Sequence, residues 1–207
     1  MYELIGAQGA GSAVVEAMLE LSGAPYRVTE AAPWDEGPHL ERLRALNPLM
    51  QVPALVLPDG AVMTESGAML LLLADRFPAA GLVPGAGDPR RPAFLRWLFF
   101  INASLYPTFS FGDVPARWAL DQASQDELRR RTDAAREEMW RQVEAAAQAP
   151  YLLGGAMTVL DLYVAVMNRW RPRRDWFARE CPRLDAIARR VEADPRLAPL
   201  FERHFGG

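Results

Sequence analysis

The sequence predicts an α/β unit followed by an all-α unit. Three observations carry this reading. Residues 1–78 alternate strand-like and helix-like segments in the order βαβαββα. Residues 79–88, AAGLVPGAGD, are the best linker in the chain, rich in Gly, Ala and Pro. Every periodic segment beyond them has helical spacing. The expected division is an α/β domain over 1–78, a linker over 79–88 and a helical domain over 89–207.

Each element has a local reason. Residues 2–6 make a short strand. Ser12 precedes a helix over 13–22, with Val14, Met18 and Leu21 on one face and Gly23 as its stop. Residues 26–30 read as a second strand and 40–46 as a short helix. Val52-Pro53 opens an apolar strand over 54–57. Pro58-Asp59-Gly60 is a turn, and 61–64 is the return strand. Glu65-Ser66 then caps a helix through Phe77, where Pro78 stops it. In the second half, Asp88-Pro89 reads as an N-cap and first-turn proline for a helix carrying Phe94, Trp97, Leu98, Ile101 and Leu105. Ser124 and Glu127 form a capping box. It opens a long helix with Leu128, Thr132, Ala135, Met139, Val143 and Ala146 on one stripe. Thr158 and Asp161 form a second box before a helix over 163–170, a structural pair and not a catalytic one. Helices over 182–193 and 195–204 finish the chain.

Composition narrows the function. Half of the 207 residues are hydrophobic, enough for a substantial core. The formal charge is −3, so there is no electrostatic case for nucleic acid. The single Cys181 excludes an internal disulfide and fits a reducing compartment. The first residues lack a signal-peptide pattern. The longest apolar runs, 68–74 and 97–101, fall far short of the ~20 residues a bilayer crossing needs. A cytoplasmic protein without membrane contact is expected. No His, Cys, Asp or Glu spacing suggests a metal site.

Residues 47–66, NPLMQVPALVLPDGAVMTES, are the most informative stretch. Asn47-Pro48, Val52-Pro53-Ala54-Leu55 and Glu65-Ser66 fall in an order and spacing that resembles the glutathione site of the glutathione S-transferase family. The βαβαββα order is similar to its thioredoxin-like domain, and the helical half fits the rest. The resemblance implies that Pro53 is cis, so that the Val52 backbone pairs with the cysteine part of glutathione like an added strand. It assigns Gln51, Val52, Pro53, Glu65 and Ser66 to glutathione. Glu65 would meet the γ-glutamyl ammonium, and Ser66 with the helix start would take the α-carboxylate.

The same resemblance implies a device that lowers the pKa of the glutathione thiol, since the thiolate is the nucleophile. The family places it around the end of the first strand, here Gly6-Ala7-Gln8-Gly9-Ala10-Gly11-Ser12. Tyrosine-type enzymes have a Tyr where this chain has Ile5-Gly6. Bacterial cysteine-type enzymes have Gly-Ala-Cys-Ser, and Gly11 stands in place of that cysteine. Ser12 is the only hydroxyl in the loop. It is the candidate catalytic residue, and equally a simple N-cap. Gln8 and the loop amides are weaker candidates.

The electrophile pocket implied by the resemblance draws on Tyr106, Phe109 and Trp118. Core packing is an equal reading for Phe109 and Phe111. Arg171, Arg173 and Arg174 read as a solvated helix end, and His39 and His204 carry no assigned role. The expected activity is conjugation of glutathione to a hydrophobic electrophile by a two-fold homodimer. The rivals are glutathione-dependent disulfide or peroxide reduction and a non-catalytic binding protein.

Overall fold

The computed structural model describes residues 1–206; Gly207, the last residue of the 89–207 half, lies outside the described residues. The first half runs β1 (Tyr2–Gly6), α1 (Ser12–Ser22), β2 (Tyr26–Glu30), α2 (Leu40–Leu46), β3 (Ala54–Val56), β4 (Val62–Met63) and α3 (Ser66–Arg76). The strands form one sheet in the order β2-β1-β3-β4. β1 pairs parallel with β2, Tyr2 opposite Tyr26 and Gly6 opposite Glu30. A parallel pair needs a crossover, and α1 supplies it. β3 runs antiparallel to β1, with Ile5 opposite Ala54. β4 runs antiparallel to β3, with Leu55 opposite Met63. The Val52-Pro53 bond is cis.

β1 is therefore central, and all five of its residues are buried. Its side chains alternate between faces. Tyr2 and Leu4 join α1 and α3 in the main core, while Ile5 meets Ala31, Leu43 and Ala54 on the α2 side. Glu3 lies on that second side. Its carboxylate accepts from Thr29 Oγ1 at 2.8 Å and pairs with Arg42 and Arg27.

The second half comprises α4 (Arg91–Phe99), a π turn (Phe100–Leu105), α5 (Pro107–Asp113), α6 (Gln122–Ala146), α7 (Val159–Met167), α8 (Arg174–Glu180), α9 (Pro182–Glu192) and α10 (Ala198–Phe205). Every residue of α7 is buried, because VLDLYVAVM is apolar all round apart from Asp161. Asp161 is fully satisfied. It accepts from Thr158 N at 2.7 Å, Thr158 Oγ1 at 3.0 Å and Leu152 N at 2.7 Å, completing the capping box. Val159 N donates to Leu82 O at 2.9 Å, tying the linker stretch to α7.

Several boundaries differ from the sequence expectation. β3 and β4 are shorter than 54–57 and 61–64. α4 starts at Arg91, since Asp88 accepts from Arg90 N at 2.8 Å and pairs with the Arg90 guanidinium instead of capping at Pro89. The helix expected to carry Leu105 widens at its end, where Tyr106 N reaches back five residues to Ile101 O at 2.8 Å. Pro107 explains this: it has no N–H, and its ring crowds the carbonyl four residues back. α6 opens two residues before Ser124, because Asp121 Oδ1 accepts from Ser124 N at 2.8 Å and acts as the cap. Its buried face is Arg136, Trp140 and Val143, so only Val143 of the expected stripe is buried. α7 begins at Val159, earlier than 163–170, and α8 is an additional helix.

One prediction concerns acid stability. Burial would raise the Glu3 pKa, but hydrogen bonds from Arg42, Thr29 and Arg27 outweigh it and hold the carboxyl at about 2, below the ordinary 4.5. A depressed folded-state pKa contributes stability above the unfolded value, and that stability is lost as pH falls through the folded value. Urea unfolding of the protein and of Glu3→Gln should show the wild-type advantage shrinking by about 2–3 kcal/mol between about pH 5 and pH 2. A pH-independent difference would contradict this account.

Candidate active site

The loop between β1 and α1 is held from the helical half. Gly9 N donates to His204 Nδ1 at 3.1 Å, and Gly9 O accepts from Trp170 Nε1 at 2.8 Å. Gln8 Nε2 donates to Arg203 O at 2.8 Å, and Gln8 N to Glu30 Oε1 at 2.9 Å. Since His204 Nδ1 accepts, its proton sits on Nε2, which faces Glu16 Oε2 at 2.8 Å. Glu16 is buried and also pairs with Arg203. Two residues from the last helix and one from beyond α7 thus set the shape of the loop.

The Ser12 hydroxyl is turned onto its own loop. It is the first residue of α1, whose N-cap is Gly11 without a side-chain cap. Its Oγ donates to Ala7 O and accepts from Ala7 N, each at 3.1 Å, and the residue is 1% exposed. The hydroxyl closes the loop on itself. As placed, it offers no proton to a ligand sulfur and no cap to Val14 or Val15.

The residues that the resemblance assigns to glutathione lie around the β3–β4 hairpin. β3 pairs with β4 as far as Leu55 opposite Met63, so Val52-Pro53 leads into one strand and Glu65-Ser66 follows its neighbour. Among the described residues the Val52 N–H and C=O make no hydrogen bond. The neighbouring Gln51 O is occupied by Asn47 Nδ2 at 2.8 Å, which steadies the approach to Pro53. Glu65 adopts φ 64° as the N-cap of α3, and its exposed carboxylate has no partner among the described residues. Ser66 is not a cap. Its Oγ lies 2.6 Å from Tyr163 Oη and 3.3 Å from Asn102 Oδ1, and Tyr163 Oη donates to Asn102 Oδ1 at 3.0 Å. Gly67 permits this approach, because a Cβ there would stand 3.2 Å from the Asn102 amide.

The three aromatic candidates separate. Tyr106 and Phe109 form a cluster with Trp170, at ring distances of 5.7 Å for Tyr106–Trp170 and 5.1 Å for Phe109–Trp170. Phe109 is a packing residue, with the buried Arg136 guanidinium 3.8 Å from its ring centroid. Arg136 in turn donates to Thr108 Oγ1 at 2.9 Å and pairs with Asp133. Trp118 is 58% exposed and packs on Phe111 at 4.8 Å, outside that cluster. Arg171 and Arg174 are ion-paired, with Asp113 and Glu192 respectively.

Trp170, Asn102, Tyr163 and His204 are the residues that sequence reasoning passed over. Their roles depend on contacts more than sixty positions away in most cases, and only the π turn before Pro107 left a local signal for Asn102. Among the described residues no cluster of His, Cys, Asp and Glu could hold a metal ion, and no helix could cross a membrane.

A four-stranded mixed sheet with an unpaired peptide at its β3 approach, joined to a helical domain that reaches into the β1–α1 loop, defines a thioredoxin-like domain with a helical companion. Residues 12–76 match the glutathione S-transferase N-terminal domain. Across 207 residues the chain is 36% identical to the uncharacterized GST-like protein YncG of Escherichia coli strain K12, covering 99% of this chain and 98% of that one. It is 32% identical over 194 residues to glutathione S-transferase GST-4.5 of Xanthomonas campestris pv. campestris, covering 90% of each. The structure of a sphingomonad glutathione S-transferase complexed with glutathione superposes with a TM-score of 0.78 at 25% identity, covering 97% of both chains. The chain belongs to the glutathione S-transferase family.

The loop clamp can be tested directly. His204→Ala leaves the Gly9 N–H and one Glu16 oxygen without their partner, which should cost about 2–3 kcal/mol. Urea denaturation should show the lower midpoint, and hydrogen exchange at Gly9 should accelerate. An unmoved midpoint with unchanged exchange would mean that the loop holds itself.

Proposed function

We propose that the protein binds glutathione along β3 and the start of α3 and joins its sulfur to a hydrophobic electrophile. The observation that carries this is the unpaired Val52 peptide at the entry to β3, whose partner strand β4 leads into Glu65 and Ser66. A peptide-like ligand pairs there as an added strand, with its cysteine residue opposite Val52. Gln51 and Pro53 shape that edge. The unpartnered Glu65 carboxylate suits an ammonium group, and the α3 start with Ser66 suits a carboxylate. In this reading residues 1–78 hold glutathione, 79–88 link the halves, and 89–207 supply the electrophile side around Tyr106.

The chemistry is a thiolate displacement. The glutathione thiol gives its proton to water, and the sulfur lone pair attacks an electrophilic carbon. A C–S bond forms, and the leaving group departs with the electron pair of its own bond. Cys181 is the only thiol of the chain. It is buried, and burial pushes it up to about 12, so it is not a redox-active thiolate. With Gly11 in the loop, the protein has no cysteine of its own for disulfide exchange at this site, so the reacting sulfur is that of glutathione. A glutathione-dependent activity suits the reducing cytoplasm.

Three outcomes follow. A chlorodinitrobenzene should be conjugated with release of chloride, and no turnover across a panel of electrophiles would leave a binding protein. Calorimetric titration of Glu65→Ala and Ser66→Ala should show glutathione affinity lower by one to two decades, or about 1.5–3 kcal/mol. Unchanged affinity in both variants would place the anchor elsewhere. Sedimentation should give a two-fold dimer, near twice the 23.0 kDa chain, and a monomer at micromolar concentration would reject it.

A further inference from the structure

The β1–α1 loop leaves one question open, because its only hydroxyl is committed to Ala7. The space above Gly11 answers it. A Cβ at Gly11 would overlap the Tyr106 hydroxyl, and would lie 3.1 Å from Tyr106 Cζ and 3.6 Å from Trp170 Cη2. The phenol of the helical half therefore occupies the position that a side chain at residue 11 would take. We infer that the Tyr106 hydroxyl is the catalytic donor that holds the glutathione sulfur as a thiolate. This rests on the glutathione reading above.

Four observations support the assignment. The Tyr106 hydroxyl makes no hydrogen bond among the described residues, whereas the hydroxyls of Ser12, Ser66 and Tyr163 and the Trp170 N–H all do. Tyr106 is half-buried, and its unpartnered hydroxyl is not a fully buried atom. Its ring is fixed edge-on by Trp170 and by Phe109 at 6.2 Å, so the donor is pre-positioned. It also stands over the first turn of α1, where the Gly11 N–H has no partner among the described residues and the helix dipole favours negative charge.

The protonation state agrees with this role. Burial pushes the Tyr106 phenol upward, with Tyr163 and Asp113 acting in the same direction. The group stays protonated at neutral pH, so it donates and does not act as a base. The proton balance is then simple. The glutathione S–H bond breaks, and its proton goes to water. Tyr106 keeps its own proton and shares it with the sulfur as a charge-assisted hydrogen bond. The contact also makes positions 11 and 106 mutually exclusive: a cysteine at 11 requires that Tyr106 leave.

The test follows the ultraviolet thiolate absorbance of bound glutathione against pH in the wild-type protein, Tyr106→Phe and Gly11→Ala. Tyr106→Phe keeps the ring and removes only the hydroxyl. Gly11→Ala keeps the hydroxyl and displaces it. Both should raise the bound thiol pKa by about one to two units relative to wild type. S-methylglutathione, which has no thiol proton, should bind Tyr106→Phe within twofold of wild type. Binding of glutathione with the same thiol pKa in wild type and Tyr106→Phe would overturn this assignment and leave the glutathione site standing. Failure of wild type to bind either glutathione or S-methylglutathione would overturn both.

Discussion

The Gly9 peptide is the constraint on which the site depends. Its N–H goes to His204 and its C=O to Trp170, so both polar groups of one loop residue are satisfied from the helical half. A buried loop peptide must find partners, or it pays the cost of desolvation unpaired. Here those partners come from α10 and from the segment after α7. The thioredoxin-like half and the helical half therefore do not merely abut; the second completes the first. The same contacts bring Trp170 against Gly11 and leave Tyr106 standing over it.

A second junction repeats this logic on the other side of the cleft. Ser66 opens α3 in the first half, and its hydroxyl lies against Tyr163 and Asn102 of the second. Three oxygens share two hydroxyl protons there, so one hydrogen-bond arrangement can be exchanged for another without leaving a group orphaned. A ligand carboxylate at the α3 start would draw on the Ser66 proton, while Tyr163 keeps Asn102. Binding of such a ligand at the first half would thereby be coupled to residues of α7 and the π turn.

Much of this architecture was legible in the sequence, and the failures have a common cause. The alternation in residues 1–78 and the Thr158–Asp161 box are local patterns that spacing and capping chemistry expose directly, whereas a glutathione role for Val52, Glu65 and Ser66 comes only from the family resemblance. From sequence alone Ser12 and Ser66 are helix-cap candidates as well as site candidates, since Ser at a helix start usually is a cap. In the structure Ser12 bridges Ala7 across five residues, and Ser66 reaches a tyrosine ninety-seven positions away. Arg136 was invisible as a core residue because its burial depends on Thr108, Phe109 and Asp133 meeting it. Gly11 was seen as a missing cysteine. Only the fold shows that a tyrosine from the other half fills the vacated space.

The central claim is that the site is assembled across the junction, with the sulfur donor supplied by the helical half. A crystal structure of the glutathione complex tests it most directly. The account predicts the sulfur within hydrogen-bond reach, about 3–3.3 Å, of Tyr106 Oη. It predicts the cysteinyl backbone paired with Val52 and the Ser12 hydroxyl still closed on Ala7. A sulfur facing a Ser12 hydroxyl released from Ala7, with Tyr106 turned away, would contradict it.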